Sequence, residues 1–209
     1  MPAFLDRVLE LPWIYRLQTA ILAPGAEVAI VRRLAGLVAQ LPPAARLLDV
    51  GCGPQSWLSH LALHPVGADV SLSYLREYGA GGDAAVAASA DALPLASESF
   101  NGVWSIGLLH HLPERVATAA LGEMVRVCKP AGYVAVFDAV LPRPPWRRPL
   151  ASAIRHFDRG RFMRSEAALR ALLPAGLDWR CERFTYAATG LEGLLCWATR
   201  GGEKLKVQS

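Results

Sequence analysis

The run Leu47-Leu48-Asp49-Val50-Gly51-Cys52-Gly53-Pro54-Gln55-Ser56 constrains this chain more than any other segment. An apolar stretch that ends on two closely spaced glycines reads as a buried strand turning sharply into a loop. Glycine reaches backbone angles that other residues resist, and without a side chain it lets the main chain approach a ligand closely. A helix is expected to begin near Gln55 or Ser56. Its unpaired N–H groups then face the crevice at the carboxyl end of the strand, where open α/β sheets hold their ligands.

The residues around the glycines narrow the ligand. Dinucleotide-binding loops read Gly-x-Gly-x-x-Gly, and here Ser56 stands at the last of those positions. Asp49 precedes the first glycine, which suits a ligand with a cationic amine and repels a pyrophosphate. A second acid, Asp69, closes the apolar run Val66-Gly67-Ala68-Asp69-Val70, about 20 residues further on, where a carboxylate on the next strand accepts hydrogen bonds from ribose hydroxyls.

Two more segments follow at regular spacing. One is Ala90-Asp91-Ala92-Leu93-Pro94-Leu95; the other runs from Ser99-Phe100-Asn101-Gly102-Val103-Trp104-Ser105 to Leu109-His110-His111-Leu112 and on to Met124-Val125-Arg126-Val127-Cys128-Lys129-Pro130-Ala131-Gly132-Tyr133. In this order the segments from about 45 to 140 resemble the class I S-adenosylmethionine-dependent methyltransferases, in particular small single-domain bacterial ones. The resemblance implies a Rossmann-like α/β fold: a seven-stranded, mainly parallel sheet flanked by helices, with the last strand antiparallel. It implies S-adenosyl-L-methionine as cofactor, with Asp49, Gly51, Cys52 and Gly53 at its methionine end, Asp69, Val70 and Ser71 at the ribose, Asp91 and Ala92 at the adenine, and Ser105 on the crevice floor. It departs from the family at Gln55, at Asn101 and at Ala131, which stand where the family often has glycine, aspartate and glycine.

A chain of 209 residues with 53% apolar content is enough for one sizeable core. The expected organisation is a single domain over 1–209, with an N-terminal helical lid (1–40), a cofactor-binding core (45–140), a substrate cap (141–175) and final strands (176–200). Strands are expected near Leu47–Val50, Val66–Val70, Ala85–Ala88, Gly102–Ile106 and Tyr133–Asp138, with the final pair near Leu177–Tyr186 and Leu191–Ala198. In the lid, Phe4, Leu5, Val8, Leu9, Trp13 and Ile14 recur at helical spacing, as do Val28, Ile30, Val31, Leu34, Leu37 and Val38 after Pro24-Gly25. Tyr15 is the lid residue expected to reach the cofactor. The prolines from Leu141 to Pro149 fit a connector or cap and exclude a strand or helix interior there.

Neither a bilayer-spanning apolar run nor the pattern of a signal peptide is present, so the cytoplasm is the expected location. The four cysteines form no Cys-x-x-Cys pair, which argues against a zinc site and a disulfide framework. No His, Asp or Glu group has metal-ligand spacing, and no metal is expected.

Methyl transfer from a sulfonium needs in-line positioning, and a hydroxyl or ammonium acceptor must also lose a proton. His110 and His111 follow strand four, and adjacent histidines on a turn point in different directions; His110 is the preferred base, His111 a substrate contact, and Asp138 the other catalytic candidate. The net charge of +4 is too small by itself to imply nucleic-acid binding. Seven arginines nevertheless gather between Arg143 and Arg164, with Asp158 their only acidic neighbour. Arg147 and Arg148 therefore read as contacts for an anionic, small or lipid-linked acceptor, and equally as part of a solvated face. Peripheral membrane contact through Trp146 and its arginines is a related expectation. A non-catalytic binding or regulatory subunit and an RNA methyltransferase are the competing functions, and the oligomeric state is not legible.

Overall fold

The computed structural model describes residues 23–156 and 160–201. Its centre is a seven-stranded sheet built from β1 (Leu47–Val50), β2 (Val66–Asp69), β3 (Ala85–Ala87), β4 (Phe100–Ile106), β5 (Cys128–Val140), β6 (Arg180–Thr185) and β7 (Glu192–Thr199), in the order β3-β2-β1-β4-β5-β7-β6. Strands β1 to β5 pair in parallel, and β7 enters antiparallel between β5 and β6. The chain moves outward from β1 to β3, then returns to the other side of β1 as β4. That reversal leaves a crevice beyond the carboxyl ends of β1 and β4, the usual ligand position in such sheets.

Helices α1 (Ala26–Val38), α2 (Leu72–Ala80), α3 (Glu114–Val127), α4 (Pro149–His156) and α5 (Glu166–Ala171) complete the described fold. The α3 helix shows the sequence logic plainly: Ala117, Ala120, Leu121, Met124 and Val127 recur at helical spacing and are all buried. Glu114 in its first turn and Arg126 in its last both oppose the helix dipole favourably. Leu121, Met124 and Val127 pack with Leu48, Val50, Val103, Val134 and Val136 on one side of the sheet. On the other side Ile30, Leu34 and Leu37 of α1 pack with Leu58, Trp104, Phe137 and Leu195. The α1 stripe is narrower than the sequence suggests, since Val28 is exposed.

Several expectations change in detail. Gln55 and Ser56 open no long helix; Ser56 caps a five-residue 3-10 turn, Trp57–Leu61, its Oγ accepting from Leu58 N–H at 3.2 Å. Strand five begins at Cys128 rather than near Tyr133, because Cys128 pairs with Phe100 before a shift of register brings Gly102 opposite Tyr133. Within that irregularity Ala131 holds φ 61°, the left-handed region that explains the glycine usual there. Asn101 has a structural place: its Oδ1 accepts Arg46 N–H at 3.1 Å and the Lys129 ammonium at 3.3 Å.

The reading against disulfides is corrected. Cys181 and Cys196 lie directly opposite each other on β6 and β7 and are joined by a disulfide. A separation of 15 residues hides this, because only the register of the antiparallel pair makes them neighbours. Cys52 and Cys128 are buried thiols.

Candidate active site

The glycine loop is shaped as its sequence demands. Gly51 and Gly53 take φ of 72° and 61°; a side chain at Gly51 would collide with Leu108, whereas one at Gly53 would meet nothing within 4 Å, so open space lies over Gly53. Asp49 sits beneath it, 1% exposed. Its Oδ2 accepts Ser56 Oγ–H at 2.5 Å, whereas Oδ1 is buried with no hydrogen-bond partner among the described residues. Burial pushes the Asp49 carboxyl up to about 6, against the opposing pull of the Ser56 hydrogen bond and with added repulsion from Asp69. Cys52 is a buried filler whose thiol is driven well above its ordinary range by burial, helped by Asp49 and Asp69.

Asp69 ties the loop to the end of β2. Its Oδ2 accepts Gly53 N–H at 3.0 Å and its Oδ1 accepts Ser71 N–H at 2.8 Å. Each carboxylate oxygen has capacity for a second donor, so this fixing is compatible with ribose hydroxyls. Val70 beside it is 70% exposed, leaving an apolar side chain in the open next to the carboxylate. Ser71 also caps α2.

Asp91 and Ala92 lie on the next loop. Ser89 Oγ donates to Asp91, and Ala92 N–H donates to Ser89 O at 3.1 Å. Sequence reasoning missed what holds this loop. Glu123 on α3 accepts Leu93 N–H at 2.9 Å, and Arg126, paired with Glu123, donates to the carbonyls of Leu93 and Leu95 at 3.0 and 2.9 Å. The only signal was an i, i+3 acid and base on a helix, which is common on solvated faces. Ser105, near the end of β4, is buried and its Oγ has no hydrogen-bond partner among the described residues.

The two catalytic candidates, 28 residues apart, come together. A 3-10 turn, Leu109–His111, follows β4, and Asp138 lies near the end of the neighbouring β5. His110 Nδ1 and Asp138 Oδ1 are 2.5 Å apart, and His110 N–H donates to Asp138 Oδ2 at 3.0 Å. Asp138 is almost fully buried and also accepts Ala139 N–H at 2.6 Å. A carboxylate held this way fixes Nδ1 as the protonated nitrogen and directs acid–base chemistry to Nε2. His111 stacks obliquely on His110, ring centroids 4.0 Å apart.

The arginine-rich segment divides. Arg147 is exposed, its guanidinium 4.8 Å from the ring centre of the exposed Trp146. Arg148 instead donates to Gly190 O at 2.9 Å and Thr185 Oγ1 at 3.1 Å and lies 3.6 Å from Glu192, so its guanidinium is occupied within the fold. Glu192 gathers this region: it also pairs with Arg183 at 2.7 Å and accepts Arg143 N–H at 2.9 Å. Burial raises the Glu192 carboxyl, but Arg183, the Arg143 N–H and Arg148 together hold it below the ordinary range. Tyr15 and the first helical stretch lie outside the described residues.

Two buried oxygens, on Asp49 and Ser105, thus have no hydrogen-bond partner among the described residues, and Asp49 lies just before the glycine loop that Asp69 ties to the next strand end. Carboxylate acceptors at two neighbouring strand ends suit an adenosine carrying a cationic amino acid. Residues 48–136 match the family described as "Methyltransferase domain". That match spans less than half of the chain, and S-adenosyl-L-methionine is the cofactor that a methyltransferase domain of this kind implies.

Similar proteins include further methyltransferases. A tRNA (carboxymethyluridine(34)-5-O)-methyltransferase of Arabidopsis thaliana is 30% identical over 135 residues, covering 61% of this chain and 33% of its own length. The 27-O-demethylrifamycin SV methyltransferase of Amycolatopsis mediterranei is 31% identical over 148 residues, covering 65% of this chain and 53% of its own. The chain thus spans from a third to about half of these relatives' lengths. A solved S-adenosylmethionine-dependent methyltransferase of Thermotoga maritima, described as a possible histamine N-methyltransferase, superposes with a TM-score of 0.67 at 17% identity, covering 93% of this chain and 98% of that one. At that identity the likeness is one of fold.

Proposed function

We propose that this protein methylates a hydroxyl group of a small metabolite, with His110 as general base and Asp138 orienting it. The observation that carries the reading is the hydrogen-bonded His110–Asp138 pair just beyond the carboxyl end of β4. S-adenosyl-L-methionine supplies an already activated methyl group and a neutral leaving thioether, so the protein's work is placement and proton handling. Asp49, Gly51 and Gly53 hold the amino-acid end of the cofactor, Asp69 with Val70 and Ser71 the ribose, Asp91 and Ala92 the adenine, and Ser105 the floor. Asp138 keeps the imidazole in the tautomer whose Nε2 accepts the hydroxyl proton as the acceptor oxygen becomes nucleophilic. An alcohol needs such a base far more than an amine, whose lone pair is available once it is neutral.

The relatives methylate oxygen on substrates as different as a tRNA uridine and a rifamycin. The small-metabolite side is favoured because Arg148 and Arg164, part of any electrostatic footprint for RNA, spend their guanidinium donors inside the fold. Residues 141–175 serve as substrate cap, with His111 and the exposed Arg147 as its acceptor contacts.

The test has two stages. S-adenosylhomocysteine is titrated calorimetrically into wild type and Asp69→Ala, with NAD as control; saturable binding weakened by about 1–3 kcal/mol in the variant is expected. Labelled methyl transfer is then followed across matched hydroxyl and amine acceptors, where His110→Ala and Asp138→Asn are expected to lower turnover about 10²- to 10⁴-fold with S-adenosylhomocysteine affinity retained. Transfer confined to amines, or turnover indifferent to His110, overturns the reading.

A further inference from the structure

The His110 turn is held from outside by one short stretch of chain, Gly160–Arg164. Arg164 donates from Nη1 to Leu109 O at 2.6 Å and from Nη2 to Leu112 O at 2.7 Å, spanning the 3-10 turn that carries the histidine. Phe162 N–H donates to His110 O itself at 3.0 Å. Gly160 lies against the imidazole so closely that any Cβ there would collide with His110 Cδ2. The same stretch is also fastened to the strand that bears Asp138. Arg164 forms a parallel bridge with Val140, two residues beyond the carboxylate, and Leu141 N–H donates to Arg164 O at 2.9 Å.

From these contacts we infer that Arg164 is a positioning residue for the His110–Asp138 pair, acting through the backbone of the histidine turn. This rests on the proposed role of that pair. The backbone of Arg164 is registered to the Asp138 strand while its planar fork grips the His110 turn, so one residue sets the distance between two elements that no hairpin connects. Only a guanidinium reaches two carbonyls on either side of a turn at once; an ammonium at the same place is a single point of attachment. Gly160 completes the arrangement by letting this chain close on the ring without a side chain in between.

The device is read without any acceptor, through the proton NMR resonance of the imidazole Nδ1–H shared with Asp138. Wild type is expected to show a far-downfield resonance that disappears in Asp138→Asn, which assigns it. In Arg164→Lys, which keeps the charge and the backbone bridge, that resonance is expected to be lost to exchange, with S-adenosylhomocysteine affinity held within about twofold, a change of about 0.4 kcal/mol. Gly160→Ala, which presses on the ring from the same stretch of chain, is expected to lose it too, and so provides a second route should the lysine variant not fold. A resonance that persists in the folded variants overturns the inference and leaves the pair's role standing. A wild-type spectrum with no resonance sensitive to Asp138→Asn overturns both.

Discussion

Replacing Asp49 by asparagine should stabilise the cofactor-free protein and weaken its hold on the cofactor. The carboxyl is 1% exposed, one oxygen has no partner among the described residues, and burial raises its pKa in the folded state from 3.8 to about 6. At neutral pH the fold therefore carries an ionised group that it would rather keep protonated, and the cost is about 3 kcal/mol at about 1.4 kcal/mol per pH unit of displacement. The sign follows from the direction. A raised folded value makes protonated Asp49 favour folding below the unfolded value, and this contribution is lost as pH climbs through about 6. Asparagine removes the ionisation cost but leaves its own buried polar atom short of a partner, which takes back about 1–2 kcal/mol. The expected net gain at about pH 7.5 is about 1–2 kcal/mol, or about 2–8 °C in Tm for a chain of this size. Thermal melts of both proteins from about pH 4.5 to 7.5 should show a gap that widens as pH rises to about 6 and then levels off. Calorimetry should show S-adenosylhomocysteine binding about tenfold weaker, as a charge-assisted bond gives way to a neutral one. A variant that melts no higher than wild type at neutral pH, or a gap independent of pH, refutes this account of Asp49.

Ala131→Gly should raise stability by about 1 kcal/mol, since alanine at φ 61° pays a left-handed penalty that glycine escapes; chemical denaturation measures it, and a lower midpoint refutes it. Glu123→Gln should loosen the Asp91 loop by replacing the acceptor of Arg126 and Leu93 N–H, costing about 1–2 kcal/mol of S-adenosylhomocysteine affinity while thermal stability falls less; equal losses in both would make Glu123 a stability residue alone.

The parts of this protein written in contiguous residues were legible in sequence. Strands β1, β2 and β3 were placed to within a residue, because each is a short apolar run closed by an acid, a glycine or a small residue. Asp49 and Asp69 stand where the strand ends put them. What escaped was everything set by register or by a partner distant in the chain. His110 and Asp138 were separate candidates, and only the parallel pairing of β4 with β5 makes them a pair. Cys181 and Cys196 met for the same reason on β6 and β7. The arginines misled differently: composition reveals charge, whereas the destination of a guanidinium depends on which carbonyls the fold leaves unpaired nearby.

Those anchored arginines limit how this protein can behave toward polyanions. Among the described members of the 143–164 segment, Arg148, Arg155 and Arg164 are spent on Gly190, Tyr186 and the His110 turn, and Arg143, Arg147 and Arg161 are exposed. Each phosphate neutralised on duplex DNA releases about 0.9 of a condensed counterion, so three exposed guanidinium groups support a logarithmic salt slope of only about −3. Affinity for a nucleic acid through this surface would decline gently as salt rises. The cluster that looks in sequence like an electrolyte-sensitive surface is, in large part, mortar.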